Sequence, residues 1–156
     1  ASCTPACDGQ KIYVNFLHKG AVVTSALDLS GRIIWQTNVT NYQTHQGFSS
    51  SPCLFGSLVI VSADNRGGGA LVAMSRETGR GAWKQQRPKM ANYTSPIVFR
   101  VAGRDQALMV GTNLVSSYDP ATGTYVGPDG KTYAQSDLAA TAPVQTWQSM
   151  LVPPGT

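Results

Sequence analysis

The stretch SRETGRGAW, residues 75–83, decides the fold because it places a tryptophan four residues after a turn glycine. The same spacing occurs upstream in ALDLSGRIIW, residues 26–35, which ends at Trp35. A third copy, SYDPATGTYVG at residues 117–127, keeps the turn but ends at Gly127 instead of a tryptophan. These three copies indicate that one structural unit is repeated along the chain.

The repeat also defines how each unit begins. A hydroxyl residue and a proline precede a short apolar run, and Gly9, Gly56 and Gly103 are each 47 residues apart. The runs KIYV, LVIV and ALMV have the length and composition of buried strands. A polar turn follows each run, and we place the first of these turns at NFLHKG, residues 15–20. A third strand before the glycine turn and a fourth strand after it complete the unit.

Four short strands at this period are typical of one propeller blade. The sequence therefore predicts an all-β fold, a partial β-propeller with three four-stranded blades over residues 1–127. The blades span about residues 4–50, 51–94 and 95–127, and residues 128–156 form an irregular tail or start a further blade. An immunoglobulin-like sandwich would need a Cys-Trp-Cys spacing that the chain lacks.

The recurring turn residues have a structural explanation. An aspartate or serine can cap its own turn, and a glycine can adopt the positive φ that the turn requires. We expect Trp35 and Trp83 to lie across the gaps between adjacent blades, where the turn glycine leaves room for the indole. The shared turn positions are Asp28, Ser75 and Asp119 for the cap, and Gly31, Gly79 and Gly123 for the glycine.

Composition argues against two classes of function. Net charge is +4, but lysine and arginine are scattered singly and form no basic patch interleaved with aromatic residues, so we expect no nucleic-acid partner. No apolar stretch reaches the roughly 18 residues that a membrane span requires. The sequence begins at Ala1 rather than methionine, and we expect that an upstream segment such as a signal peptide was removed or never included.

The three cysteines do not suggest a zinc site. Cys3, Cys7 and Cys53 include no C-x-x-C pair. Cys3 and Cys7 could form a disulfide in an oxidising compartment, or all three could be small buried apolar residues, and both interpretations stay open at this point.

Residues 26–35 and 73–83, ALDLSGRIIW and AMSRETGRGAW, resemble the tryptophan-docking motif of quinoprotein-type, PQQ-like β-propeller repeats. That motif has an alanine, an aspartate, a Thr-Gly pair and a tryptophan at fixed spacing. The resemblance covers about residues 4–127. It implies a periplasmic or secreted protein, in a family that includes quinone-dependent dehydrogenases and non-enzymatic outer-membrane assembly lipoproteins.

The catalytic residues of the quinone-dependent members do not carry over. The resemblance would imply an adjacent pair of cysteines over the quinone and Glu, Asn and Asp side chains around a calcium ion. This chain has no adjacent cysteines, and Glu77, its only glutamate, lies in a docking turn. We therefore expect no PQQ chemistry.

The number of blades has a consequence for assembly. Propellers of this family close with six to eight blades, whereas three blades would leave open edges and apolar faces. Either the chain is a fragment of a longer one or its copies associate, and for a complete protein we expect a homodimer or larger assembly.

Strand alternation places one group of loops together, and we call them the channel-mouth loops. They comprise the connections between blades, residues 41–49 and 88–94, and the turns between second and third strands. Those turns contain His18, Lys19, Asp64, Asn65, Arg66 and Asn113. Because function usually resides on such loops, we expect a small-molecule or protein ligand to bind here.

His45 is the candidate general base, because its ordinary pKa lies near neutrality and it lies in a polar loop rather than in a strand. The alternative is an ordinary solvent-exposed loop histidine, since no nucleophile or carboxylate accompanies it in the sequence. Gln46, Arg66 and Tyr93 are the candidate ligand-binding residues beside it.

Four side chains in these loops have the hard oxygen atoms that calcium prefers. They are Asp64, Asn65, Asn92 and Asn113. The sequence DNRGGG at residues 64–69 also predicts an Asx turn that closes a hairpin, with glycines for positive φ, and this alternative needs no metal.

Two functions follow from these residues. The first is a non-enzymatic propeller module that binds a partner on its channel-mouth loops, because the repeated motif builds scaffold and no catalytic set is assembled. The alternative is a calcium-dependent lactonase or esterase, in which the metal polarises a carbonyl and His45 activates water.

Overall fold

The computed structural model describes residues 3–111, 114–127 and 130–133. Within these residues the chain forms three antiparallel sheets and no helix. The first sheet contains β1 (Ala6–Cys7), β2 (Lys11–His18), β3 (Ala21–Asp28) and β4 (Ile33–Asn41). The second contains β5 (Cys53–Phe55), β6 (Leu58–Ser62), β7 (Gly69–Ser75) and β8 (Gly81–Arg87). The third contains β9 (Ile97–Val101), β10 (Arg104–Gly111), β11 (Leu114–Tyr118), β12 (Tyr125–Val126) and β13 (Thr132–Tyr133).

Strand order in each sheet follows the order of the chain, so each sheet is an up-and-down meander. This is the arrangement of a propeller blade, and it confirms the predicted all-β, partial propeller. The three sheets are called the first, second and third blades below. No helix that could cross a membrane occurs among the residues that the structure describes.

The core lies in the two gaps between blades. Tyr13 and Val22 of the first blade pack with Val59 and Val72 of the second, and Ile60 and other residues on the opposite face of the second blade pack against the third. Strand β7 is buried on both faces, since every residue from Gly69 to Met74 is buried. The middle blade is thus enclosed by its two neighbours.

Trp35 and Trp83 each dock on the turn of the following blade. The Trp35 indole donates to the Arg76 carbonyl at 3.0 Å, and the Trp83 indole donates to the Pro120 carbonyl at 3.1 Å. A Cβ atom on Gly79 would lie 2.6 Å from the ring of Trp35. Only a glycine leaves this space, so the glycine and the indole of consecutive blades fit together as one contact.

The glycine turns keep the same geometry in all three blades. Gly31, Gly79 and Gly123 have φ values of 87°, 70° and 76°. Asp28 accepts from the Ser30 and Arg32 amides, while Asp119 and Ser75 accept from amides in their own turns. Gly31 differs in one respect, because no atom lies within 4 Å of the position that its Cβ would occupy.

This difference makes Gly31 a matched control for Gly79. We expect Gly31→Ala to cost about 1 kcal/mol, because alanine is strained at positive φ. Gly79→Ala should cost about 1–3 kcal/mol more, because its Cβ also overlaps the indole of Trp35. Denaturant unfolding of both variants measures the difference, and equal losses would contradict the docking contact.

Strand β2 is longer than predicted. The sequence indicated a turn over residues 15–20, whereas β2 continues to His18 and the turn is confined to Lys19 and Gly20. The prediction was wrong because Asn15 was read as a turn residue. Its buried amide donates to the Ser50 carbonyl at 3.0 Å and accepts from the Thr24 hydroxyl at 2.8 Å, and these bonds allow a polar residue inside a strand.

The third blade has a fifth strand where four were predicted. Strand β13 pairs with β12, and the Gly127 amide donates to the Lys131 carbonyl at 2.8 Å. The strand lies in the segment, residues 128–156, that was predicted to be an irregular tail or the start of a further blade. Its two residues gave no periodicity from which to predict it. The remainder of that segment, from residue 134, lies outside the described residues.

All three cysteines are free thiols in this structure. Burial raises the pKa of both Cys3 and Cys53. The Cys3 thiol donates to the Asn15 carbonyl at 3.3 Å, so it packs as a small side chain against the first blade.

A polar cluster joins the first and second blades on the side opposite the channel-mouth loops. The Asp8 carboxylate accepts from the Lys11 and Gln10 amides, the Tyr13 hydroxyl and the Arg76 guanidinium. Burial alone would raise the pKa of Asp8, but these hydrogen bonds outweigh it and hold that pKa well below its usual range.

The depressed pKa predicts acid sensitivity. A carboxylate with a lowered folded-state pKa contributes stability above its unfolded pKa of about 3.9, and this contribution is lost as pH falls towards the folded value. We expect Asp8→Asn to be less stable than wild type at pH 7 and to lose less stability between pH 4 and pH 2. Thermal unfolding of both proteins across this pH range tests the expected difference. Asp105→Asn serves as the control, because Asp105 belongs to an exposed ion pair 3.7 Å long. Parallel pH profiles of Asp8→Asn and wild type would contradict the assignment.

Candidate functional site

The channel-mouth loops meet on one side of the three blades. In the structure they are the connections 42–52 and 88–96 and the turns 19–20 and 63–68, while residues 112–113 lie outside the described residues. The Gln43 amide donates to the side chain of Asn65 at 3.1 Å, and Asn92 donates to the Val110 carbonyl at 3.0 Å. The first connection therefore contacts the 63–68 turn of the second blade, and the second contacts the end of β10 in the third blade.

A buried ion pair lies beneath these loops. The side chains of Arg87, at the end of β8, and Asp64, just after β6, are only 3% and 4% exposed. The guanidinium donates to the two carboxylate oxygens at 3.1–3.3 Å, and its remaining nitrogen donates to Ser116 and Tyr118 of the third blade. The pair therefore links the second and third blades through fully buried polar contacts.

Asn92 extends this cluster to the connection between those blades. Its amide nitrogen donates to Asp64 at 3.1 Å, to the Thr94 hydroxyl at 3.0 Å and to the Val110 carbonyl. Gly111 provides the space, since a Cβ there would lie 2.5 Å from that nitrogen. Asn92 thus positions the loop over the ion pair.

Asn65 connects the first and second blades in the same way. It is almost completely buried, and its oxygen accepts from the Gly67 amide at 2.9 Å and the Gln43 amide at 3.1 Å. Its nitrogen donates to the carbonyls of Ala63, Gly68 and Asn41. The bond to Gly67 is an Asx turn, and the bonds to Gln43 and Asn41 fasten that turn to the end of β4.

His45 and Tyr93 lie together at the exposed surface of the loops. The imidazole Nδ1 is 3.2 Å from the Tyr93 hydroxyl, and the Tyr93 carbonyl accepts from the Ser49 hydroxyl at 2.9 Å. Gln46 is exposed in the same connection as His45, and Arg66 is exposed at the tip of the 63–68 turn. Within the described residues, no carboxylate hydrogen-bonds to His45, and its hydrogen-bond partner is the Tyr93 hydroxyl.

The oxygen atoms proposed for calcium are used differently here. The Asp64 carboxylate faces a guanidinium, the Asn65 oxygen accepts from two backbone amides, and the Asn92 oxygen accepts from the Thr94 amide. Asn113 lies outside the described residues. Among the described part of the chain, no group of three or more His, Cys, Asp or Glu side chains could hold a metal. As arranged, these residues do not fit a calcium ion, because a second cation would be placed next to Arg87.

Sequence reasoning missed Arg87, Ser116 and Tyr118. An arginine at the end of a strand is usually exposed to solvent, so the sequence did not indicate that Arg87 is buried. Its partner Asp64 is 23 positions away in the sequence. The one available signal is the equivalent position in the first blade. There Val39, like Arg87 four residues after the docked tryptophan, is buried, which indicates that this position faces a neighbouring blade.

The family model described as outer membrane protein assembly factor BamB matches residues 1–137. The chain belongs to this family. No curated protein sequence matches it. The family assignment confirms the PQQ-like repeat that the tryptophan motifs predicted.

Solved structures support the same fold. A europium-containing methanol dehydrogenase matches with a TM-score of 0.54 and 20% identity, over 78% of this chain and 23% of that one. The quinohemoprotein alcohol dehydrogenase from Comamonas testosteroni matches with a TM-score of 0.56 and 21% identity, over 86% of this chain and 23% of that one. The BamB-family chain spans about a quarter of these neighbours, and the similarity concerns the fold alone.

Proposed function

We propose that this BamB-family chain is a non-enzymatic binding module, periplasmic or secreted, that holds a partner protein on its channel-mouth loops. The proposal rests on the hydrogen bonds and the ion pair that the polar side chains beneath these loops already make. Asp64, Arg87, Asn65 and Asn92 are occupied in fixing the loops, which favours a rigid recognition surface over a reactive site. The contact residues above them are the exposed Gln46 and Arg66 and the half-buried Tyr93.

Site-specific photo-cross-linking tests the binding surface. A photoreactive phenylalanine analogue at Gln46 or Arg66 should give discrete adducts with periplasmic proteins of a host bacterium. The same analogue at Arg80, an exposed residue in the docking turn on the opposite side of the blades, serves as control. Equal adducts from all three positions would contradict recognition by the channel-mouth loops.

The alternative is a calcium-dependent lactonase or esterase that uses His45. The pair formed by His45 and Tyr93 is the observation that favours it, because a hydroxyl 3.2 Å away can hold the imidazole in one orientation. Lactone and ester hydrolysis with and without a chelator separates the two functions. We expect no chelator-sensitive activity, and activity that disappears in His45→Ala and Asp64→Ala would replace the binding module by the hydrolase.

We also propose that copies of the chain self-associate through their outer blade faces. The rings of Phe16 on the first blade and Phe99 on the third are each 54% exposed, and the glycine turn at Gly31 has no indole against it. Such apolar groups favour association. Size-exclusion chromatography with light scattering should give a mass above 16.5 kDa, and a stable monomer of that mass would contradict self-association.

A further inference from the structure

The contact between neighbouring blades has two halves, a tryptophan on the earlier blade and a turn on the later one. The turns of the second and third blades each hold an indole, and a Cβ atom on Gly79 or Gly123 would lie 2.6 Å from it. The indole N–H donates to the carbonyl of the residue that follows the capping residue, Arg76 in one turn and Pro120 in the other. The contact is therefore directional, because each blade uses its turn on one side and its tryptophan on the other.

The first blade has the same turn without an indole. Gly31 has a φ of 87°, close to the 70° and 76° of the two occupied turns, and no atom lies within 4 Å of the position of its Cβ. The carbonyl in the place of the indole acceptor belongs to Leu29, which is 63% exposed. We call this turn, residues 28–31, the open turn. Its geometry is ready for an indole, since its Asp28 cap is made within the turn itself.

The sheet face beside the open turn is also uncovered. In the second blade, Val59 pairs with Met74 just before the turn, and both are completely buried against the first blade. The same pair in the first blade is Ile12 with Leu27, and these side chains are only half-buried. Phe16 lies on the same face of β2 as Ile12 and is 54% exposed. The first blade thus repeats the surface that the second blade buries against its neighbour.

A second repeated contact indicates which partner fits this surface. At the start of the blades, the Thr4 amide donates to the Ser51 hydroxyl, and the Ser51 amide donates to the Ser95 hydroxyl, both at 2.8 Å. The series begins with the Thr4 hydroxyl and ends with the Ser95 amide. A second copy with its third blade against the first blade would continue the series through these two groups. This continuity favours a second copy over an unrelated protein.

The tryptophans of the chain point to the same partner. Trp35 and Trp83 fill the turns of the second and third blades, and Trp147, the third tryptophan, follows the third blade in the sequence and lies outside the described residues. A tryptophan that docks needs no turn glycine of its own, because the glycine of each contact belongs to the other blade. One indole beyond the third blade therefore matches one open turn on the first.

We infer that a second copy of the chain docks on the first blade, with its third blade against the uncovered face and its Trp147 indole on the open turn. The inference rests on the proposed self-association, and it specifies which two surfaces meet and which residue joins them. Because the two surfaces differ, the contact is heterologous, and repeated copies either close into a ring or continue as a filament.

Two variants that each remove one half of the contact test the inference by light scattering. Gly31→Ala places a Cβ where the indole would lie, and Trp147→Ala removes the indole, so each should weaken self-association at least about tenfold. Gly56→Ala is the matched control, because Gly56 also has a positive φ, 52°, and open space around its Cβ position. It belongs to the enclosed second blade, so its substitution should leave self-association unchanged.

A mixture of the two variants tests the direction of the contact. Gly31→Ala keeps the tryptophan and Trp147→Ala keeps the open turn, so the mixture retains one intact contact. It should form pairs that contain one copy of each variant, whereas neither variant pairs alone at the same concentration. No larger assembly should form, because the two remaining halves are both damaged.

Photo-cross-linking provides a measurement that does not depend on either variant. A photoreactive phenylalanine analogue at Leu29, in a mixture of unlabelled and isotope-labelled chains, should link to peptides that contain Trp147 of the other isotope. Links to Trp147 within one chain would mean that the chain fills its own turn, and would overturn the inference.

The outcomes separate this inference from the self-association on which it rests. A monomeric wild type would overturn both. Undiminished self-association in Gly31→Ala or in Trp147→Ala would overturn the docking of Trp147 alone. The same holds for a mixture that fails to pair although both variants keep the circular dichroism spectrum of the wild type.

Discussion

Replacing Trp83 by alanine is expected to lower the free energy of unfolding by about 3 kcal/mol. The indole fills the gap between the second and third blades, contacts Gly123 and donates to the Pro120 carbonyl at 3.1 Å. Its removal leaves a cavity in that gap and an unpaired carbonyl. The estimate is at the lower end for such substitutions because the side chain is only half-buried.

A conservative variant separates the contribution of the aromatic ring from that of the indole hydrogen bond. Trp83→Phe keeps an aromatic ring in the gap and loses only the indole N–H, so it should cost about 1 kcal/mol. Combining Trp83→Ala with Gly123→Ala tests the contact directly. A Cβ on Gly123 would lie 2.6 Å from the indole, so the glycine substitution should cost less once the indole is gone. Denaturant unfolding of wild type, the two single alanine variants and the double variant measures the four free energies that are compared. Strictly additive losses would contradict a direct contact between Trp83 and Gly123.

The sequence contained the information for the blades because that information is local. A glycine at positive φ, a capping aspartate and a tryptophan four residues after the glycine specify one turn and one contact within about ten residues. The turn glycine recurs in three units, and the capping aspartate and the tryptophan each occur in two of them, so each copy supports the others. Strand β2 could not be predicted to full length, because Asn15 is tolerated inside it only through Thr24 and the Ser50 carbonyl.

The same distinction between local patterns and contacts of distant residues explains which parts of the candidate site could be predicted. Asn65 predicted both a calcium ligand and an Asx turn, and the sequence could not choose because the asparagine oxygen suits either use. The structure places the Asn65 oxygen on the Gly67 and Gln43 amides. The partner of Asp64 was harder still, since Arg87 reaches it only after two strands pair in one register, with Gly69 opposite Arg87. Register depends on the packing of the whole blade and leaves no local pattern.

The second large effect is expected at this ion pair. Arg87→Met should lower the free energy of unfolding by about 3–5 kcal/mol, because it leaves the Asp64 carboxylate buried without its partner. The methionine also cannot donate to Ser116 and Tyr118, so two hydroxyl groups of the third blade lose a buried donor. We therefore expect the loss of stability to be concentrated at the boundary between the second and third blades.

The double variant Arg87→Met with Asp64→Asn isolates the buried charge. An asparagine keeps most of the shape of the aspartate but carries no charge, so the double variant should be more stable than Arg87→Met alone. Arg80→Met, at an exposed position, should change stability by less than about 0.5 kcal/mol and controls for the loss of an arginine. Equilibrium unfolding in denaturant ranks the proteins. If Arg87→Met were as stable as Arg80→Met, the guanidinium would have to be hydrated rather than buried, and the loops above it would lose the fixed base that the binding surface requires.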